Sequence, residues 1–80
     1  MINRIRQAMA DSDRWIVEFE YQDSKGNLTR RMVSPIRFLS NERFLGLCLC
    51  REECRQFYLS RCSNLEILPA SECLMPVAIG

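Results

Sequence analysis

Ten of the eleven basic side chains in this 80-residue chain are arginine, and seven of them fall between residues 30 and 61. Against them that segment sets only Glu42, Glu52 and Glu53, a local excess of four in a chain of net charge +1. A guanidinium group is a planar fork of donors that matches carboxylate, phosphate or a nucleobase edge through paired bonds. Solubility alone would be served equally by lysine. High genomic G+C content is a second, non-chemical source of the same bias. The arginines are most telling along Phe44 to Arg61, FLGLCLCREECRQFYLSR, where Arg51, Arg55 and Arg61 interrupt apolar runs and Arg43 stands just outside. A negatively charged ligand held there would meet several guanidinium groups on one rigid frame.

Other chemistry has less to draw on. Histidine is absent, which removes the commonest general acid or base, and the chain is expected not to be an enzyme. Glu52 and Glu53 most simply solvate a turn. Of the five cysteines (Cys48, Cys50, Cys54, Cys62, Cys73), Cys48 and Cys50 fall on one face of a strand and read as small core residues. Without a C-x-x-C pair or a histidine, zinc is the weaker reading, and neither metal nor cofactor is expected. The odd count, without an apolar leader, fits reduced thiols. Cys54, between Arg51 and Arg55, is the one candidate for a depressed thiol pKa.

The elements that must position these groups follow from periodicity. Ile2, Ile5 and Met9 share one face of a helix over about residues 2–10. Trp15, Val17, Phe19 and Tyr21 then alternate with Ile16, Glu18 and Glu20, the pattern of a half-buried strand. Asp23 to Asn27, with Gly26, supplies a turn, and Leu28 to Val33 returns as a hairpin that Pro35 is expected to stop. Ile36 to Leu39 and residues 43–50 read as a further antiparallel pair. Leu45, Leu47 and Leu49 oppose Phe44, Gly46 and Cys48, so both faces of the second strand are apolar and it should be central or covered. Arg55 to Cys62 is the next strand, with Arg55, Phe57, Leu59 and Arg61 on one face and Gln56, Tyr58 and Ser60 on the other. Leu65 to Leu68 is the last, stopped by Pro69, and an apolar tail closes the chain.

These elements predict one mainly β domain over residues 1–80: a short helix, a small five-stranded antiparallel barrel over about 15–68, and a tail over 69–80. Strands this short must close or be covered to hide their edges. The tail is expected to pack on its own barrel or to join a homodimer interface. No apolar run approaches the ~20 residues of a membrane helix, and Arg4, Arg6 and Asp11 interrupt any leader-like stretch. A cytoplasmic location is expected.

In order and spacing the motifs resemble the WYL domain, found mostly in bacterial transcription regulators and named for a Trp-Tyr-Leu tripeptide. Val17-Glu18-Phe19-Glu20-Tyr21 and the turn around Gly26 match its opening hairpin. Arg31-Met32-Val33-Ser34-Pro35 looks like its Arg-x-Val-x-Pro, and Arg43-Phe44-Leu45 stands in the place of the tripeptide. Arg55-Gln56-Phe57-Tyr58-Leu59-Ser60-Arg61 is similar to its Arg-x-Phe-Arg-Leu-Asp-Arg. The likeness covers about residues 5–67. It implies a helix followed by an Sm/SH3-like barrel, and a basic pocket sensing a nucleotide or nucleic-acid-like ligand, with Arg31, Arg55 and Arg61 at pocket positions. The departures are Arg43 for tryptophan, Phe44 for tyrosine, Tyr58 for arginine and Ser60 for an acid. Residues 1–13 hold no helix-turn-helix, so a stand-alone module is expected rather than a self-sufficient regulator.

Two readings therefore stand. In one, Arg55 and Arg61 contact a nucleotide or single-stranded nucleic acid, Arg31 assists, Arg43 compensates for the replaced tryptophan, and Phe44, Tyr58 or Trp15 stacks on bases. In the other, the arginine stems cover the core while their heads pair with Glu18, Glu20 or Glu66. The domain would then be a structural module for dimerisation or for docking on a regulator protein.

Overall fold

The computed structural model describes residues 1–49 and 51–71. Cys50, Cys73 and the packing expected of the tail lie outside the described residues. Helix α1 (Ile2–Ala10) leads into strands β1 (Trp15–Gln22), β2 (Leu28–Phe38), β3 (Arg43–Cys48) and β4 (Glu53–Tyr58). A short 3-10 turn (Leu59–Arg61) then feeds β5 (Cys62–Pro69). All neighbours are antiparallel, in the order β4-β3-β2-β1-β5.

The helix and five antiparallel strands are as expected, but the sheet is not closed, so the description as a barrel holds only loosely. β4 and β5 end the sheet instead of pairing with each other. Side chains bridge what backbone pairing leaves open. The Tyr58 N–H, at the end of β4, donates to the Tyr21 hydroxyl on β1 at 3.0 Å. From the helix, the Arg4 guanidinium donates to the Leu65 carbonyl of β5 at 2.9 Å.

Alternation in β1 puts Val17, Phe19 and Tyr21 into the core, where they meet Ile5 and Ala8 of α1, Val33 of β2, Phe44 of β3 and Phe57 of β4. Phe19 is the hub: its ring lies edge-on to Tyr21, Phe44 and Phe57 at centroid distances of 6.2, 6.1 and 5.4 Å. Such edge-to-face contacts add roughly 0.5–1.5 kcal/mol each beyond area burial. The hairpin turn is held by Asp23, whose carboxylate accepts from the N–H groups of Lys25 and Asn27 at 2.9 Å. Gly26 takes φ +88 there, a conformation that strains residues bearing a Cβ.

Two boundaries differ from expectation. Pro35 does not stop the hairpin, because β2 runs through it to Phe38 as one bent strand. Pairing passes from Pro35–Gly46 to Arg37–Leu45, which leaves Ile36 as the extra residue of a bulge, a place where a strand tolerates proline. β4 ends at Tyr58 rather than at Cys62, and the 3-10 turn breaks the alternation at Leu59. That break decides where Arg61 points.

Candidate nucleotide-binding face

The register of β3 against β4 builds the site. Arg43 pairs directly with Tyr58, Leu45 with Gln56, and Phe44 with Phe57. The Phe44–Phe57 row faces the core, so Arg43, Gln56 and Tyr58 stand on the opposite, outward face. There the Arg43 guanidinium donates to Gln56 Oε1 at 2.9 Å, which fixes one edge of its fork. Tyr58 is 42% exposed, and the Arg61 guanidinium lies over its ring at 5.5 Å. Such a pair is worth about 0.5–1 kcal/mol at an exposed site. Among the described residues neither Arg43 nor Arg61 has a carboxylate partner. Two uncompensated guanidinium groups thus flank one exposed aromatic ring. Beside the ring is a hollow of about 390 Å³ lined by Tyr58, Leu59, Ser60, Asn41, Glu42 and Ile2, within the usual range of ligand pockets.

Arg43, Tyr58 and Arg61 are therefore brought together, and the remaining candidates are not. Phe44 is fully buried, stacked on Phe57 at 5.5 Å, so its ring has no face for a base. Arg55 sits across from Gly46 on the inward-facing side and pairs with Glu53 at 3.9 Å. An exposed pair of that length contributes little. Arg31 sits across from Phe19 on the same inward-facing side, and its Nε donates to Thr29 Oγ1 at 2.9 Å. It lines a separate hollow of about 180 Å³ with Thr29, Arg30, Cys48 and Arg51, below the usual pocket size. Trp15 is half-buried against the core. The carboxylates of β1 are taken up by Arg30, at 3.1 Å from Glu18 and 4.0 Å from Glu20, rather than by Arg31, Arg55 or Arg61. Gln56 is the site residue that spacing alone passed over. Its place two residues before Tyr58 on the same strand is the signal that could have found it.

Among the described residues no group of three or more metal-ligating side chains forms. No described helix is long and apolar enough to cross a membrane. The thiols differ sharply in access. Cys54 is exposed, whereas Cys62 is buried, donates to the Tyr58 carbonyl at 3.4 Å, and is pushed up to about 12 by burial. Iodoacetamide under mildly alkaline conditions should label Cys54 first and leave Cys62 intact until the domain unfolds. Peptide mapping checks this, and early labelling of Cys62 would contradict the packing described.

Comparison with curated proteins finds no match. Among solved structures, proteasome accessory factor B/C (PafBC) of Arthrobacter aurescens is similar, with a TM-score of 0.68 and 27% sequence identity over 86% of this chain. The chain corresponds to 11% of that protein's length. The model of the WYL domain matches residues 1–67, which takes in the helix, β1 to β4, and both Arg43 and Arg61. By that match, and by the hairpin and arginine motifs within it, the chain belongs to the WYL domain family.

Proposed function

We propose that this WYL domain is a regulatory, ligand-sensing module that binds without turnover and takes a nucleotide or single-stranded nucleic acid on its Arg43–Tyr58–Arg61 face. One observation carries the reading: an exposed tyrosine ring with a guanidinium over it and a second at its cross-strand position. Bases stack on tyrosine and on guanidinium planes, while guanidinium forks hold phosphate, so both halves of a nucleotide find partners. Stacking on Tyr58 would contribute roughly 1–3 kcal/mol per base. The similarity to PafBC supports a regulatory setting, and within such a setting a regulator protein is the natural partner.

A second reading rests on the outer face of β2 and β3. Leu45 and Leu47 are half-buried there without a covering layer among the described residues, and Ile36 is 46% exposed. That stripe suits docking or dimerisation.

Salt dependence separates the two. Binding of a fluorescein-labelled single-stranded hexanucleotide, followed by anisotropy, should weaken as salt rises, with a log–log slope of about −0.7 per phosphate held. The double variant Arg43→Ala/Arg61→Ala should lose about tenfold or more in affinity and about 1.4 in slope. Unchanged affinity and slope would remove the nucleotide reading and leave the docking module.

A further inference from the structure

We propose that the hollow between α1 and the β2–β3 turn is a second binding site, for a small monocarboxylate that carries an aromatic ring or a short alkyl chain. It stands apart from the Arg43–Tyr58–Arg61 face and does not depend on it. Phe38 belongs to the core-facing row with Phe44 and Phe57, whereas Tyr58 stands on the outward face.

The walls follow from the fold. Ile5 and Ala8 bury one face of α1 in the core, which leaves Ile2 and Arg6, four residues apart, as neighbours along the helix surface beside that face. Across from them β2 ends at Phe38, and the turn that follows is held by its own hydrogen bonds. The N–H groups of Leu39 and Ser40 both donate to the Arg43 carbonyl, at 3.0 and 3.3 Å. The Glu42 N–H donates to Ser40 Oγ at 3.1 Å. Ile2, Arg6, Phe38, Leu39, Ser40 and Asn41 line a hollow of about 430 Å³, within the usual range of small-molecule pockets.

The chemistry of this lining selects the ligand. Arg6 is its one charged group. The guanidinium lies 5.7 Å from the centroid of the Phe38 ring, which restrains it, and among the described residues it has no carboxylate partner. A second donor is at hand, because Ser40 Oγ accepts from the Glu42 N–H and keeps its own proton to give. One guanidinium fork with one hydroxyl matches the single charge and two oxygens of a carboxylate. A phosphate ester, with up to two charges, would meet only one cation. No carboxylate lines the hollow to hold an amine. Ile2, 42% exposed, and the half-buried Phe38 and Leu39 supply the apolar surface that a ring or alkyl chain would cover.

Phenylbutyrate is the probe, titrated into the full chain and followed by amide chemical-shift mapping. Shifts should centre on Arg6, Phe38, Leu39 and Ser40, since Ile2 and Asn41 also line the hollow beside Tyr58 and do not discriminate. Arg6→Ala should weaken binding about tenfold or more, because hydrogen bonds to a charged group are lost. Arg6→Lys should recover only part of this, because an ammonium lacks the fork. Phenylbutyramide, similar in shape but uncharged, should bind about tenfold more weakly than the acid. Alanine is favoured in a helix and Arg6 is exposed, so the variant should fold, and circular dichroism verifies it. Shifts confined to Tyr58 and Arg61 would put the acid on the other face and overturn the site. Equal binding of acid and amide, no loss in Arg6→Ala, tighter binding of phenyl phosphate, or no binding up to the solubility of the probe would overturn it as well.

Discussion

Replacing Phe19 with alanine is expected to remove between a quarter and all of the domain's stability, roughly 3–5 kcal/mol. Phe19 is fully buried and its ring meets Tyr21, Phe44 and Phe57. Truncating a core phenylalanine costs about 3–5 kcal/mol, because the cavity left behind collapses only in part. An 80-residue domain has roughly 4–12 kcal/mol of stability in total. The loss is also not local: the Phe19 ring joins β1 to Phe44 of β3 and to Phe57 of β4, although neither strand is its neighbour in the sheet. The further β1–β4 contacts of Tyr21 lie beside it. Without it the curl of the sheet loses its internal support. Urea denaturation monitored by Trp15 fluorescence measures the effect, and a midpoint near that of the unaltered protein would refute the hub role.

Gly46→Ala should be nearly as damaging, for a steric reason. A Cβ at Gly46 would collide with Cγ1 of Val33, and it would lie 3.4 Å from the Ser34 carbonyl oxygen and 3.5 Å from Cε2 of Phe44. Val33 is fully buried and β-branched, so it has few rotamers into which to retreat. Overpacking of this kind costs about 1–3 kcal/mol, and occasionally more. In a domain of this size each kcal/mol lowers Tm by roughly 4–8 °C. Because the clash involves one partner, Val33→Ala in the same molecule should recover part of the loss. Additive losses in the double variant would show that the damage arises elsewhere.

The alternation from Trp15 to Tyr21 is readable because burial on one face leaves a local period of two, and β1 indeed buries Val17, Phe19 and Tyr21. The path through Pro35 is not locally readable. Proline normally ends pairing, and what permits it here is a bulge at Ile36, set by the register of β2 against β3.

The site shows the same division. Arg55, Phe57, Leu59 and Arg61 share a parity only if the strand stays regular through Leu59. The 3-10 turn begins there with neither glycine nor proline to announce it. Arg61 consequently swings to Tyr58 while Arg55 remains behind with Glu53. Arg43 and Tyr58 were visible as residue types. Their adjacency is a fact of β3–β4 register, which depends on the tight turn around Glu52, at φ 54. Phe44 is closed to a base by two aromatic neighbours, Phe19 from β1 and Phe57 from β4.

The claim that Tyr58 is the stacking surface can be tested by photocrosslinking. A single-stranded hexanucleotide carrying 5-iodouracil, irradiated in complex with the protein, reacts with the aromatic side chain on which the modified base stacks. Tryptic mapping should place the adduct on Tyr58, and Tyr58→Ala should abolish it. An adduct on Trp15, or a yield unaffected by Tyr58→Ala, would contradict the account.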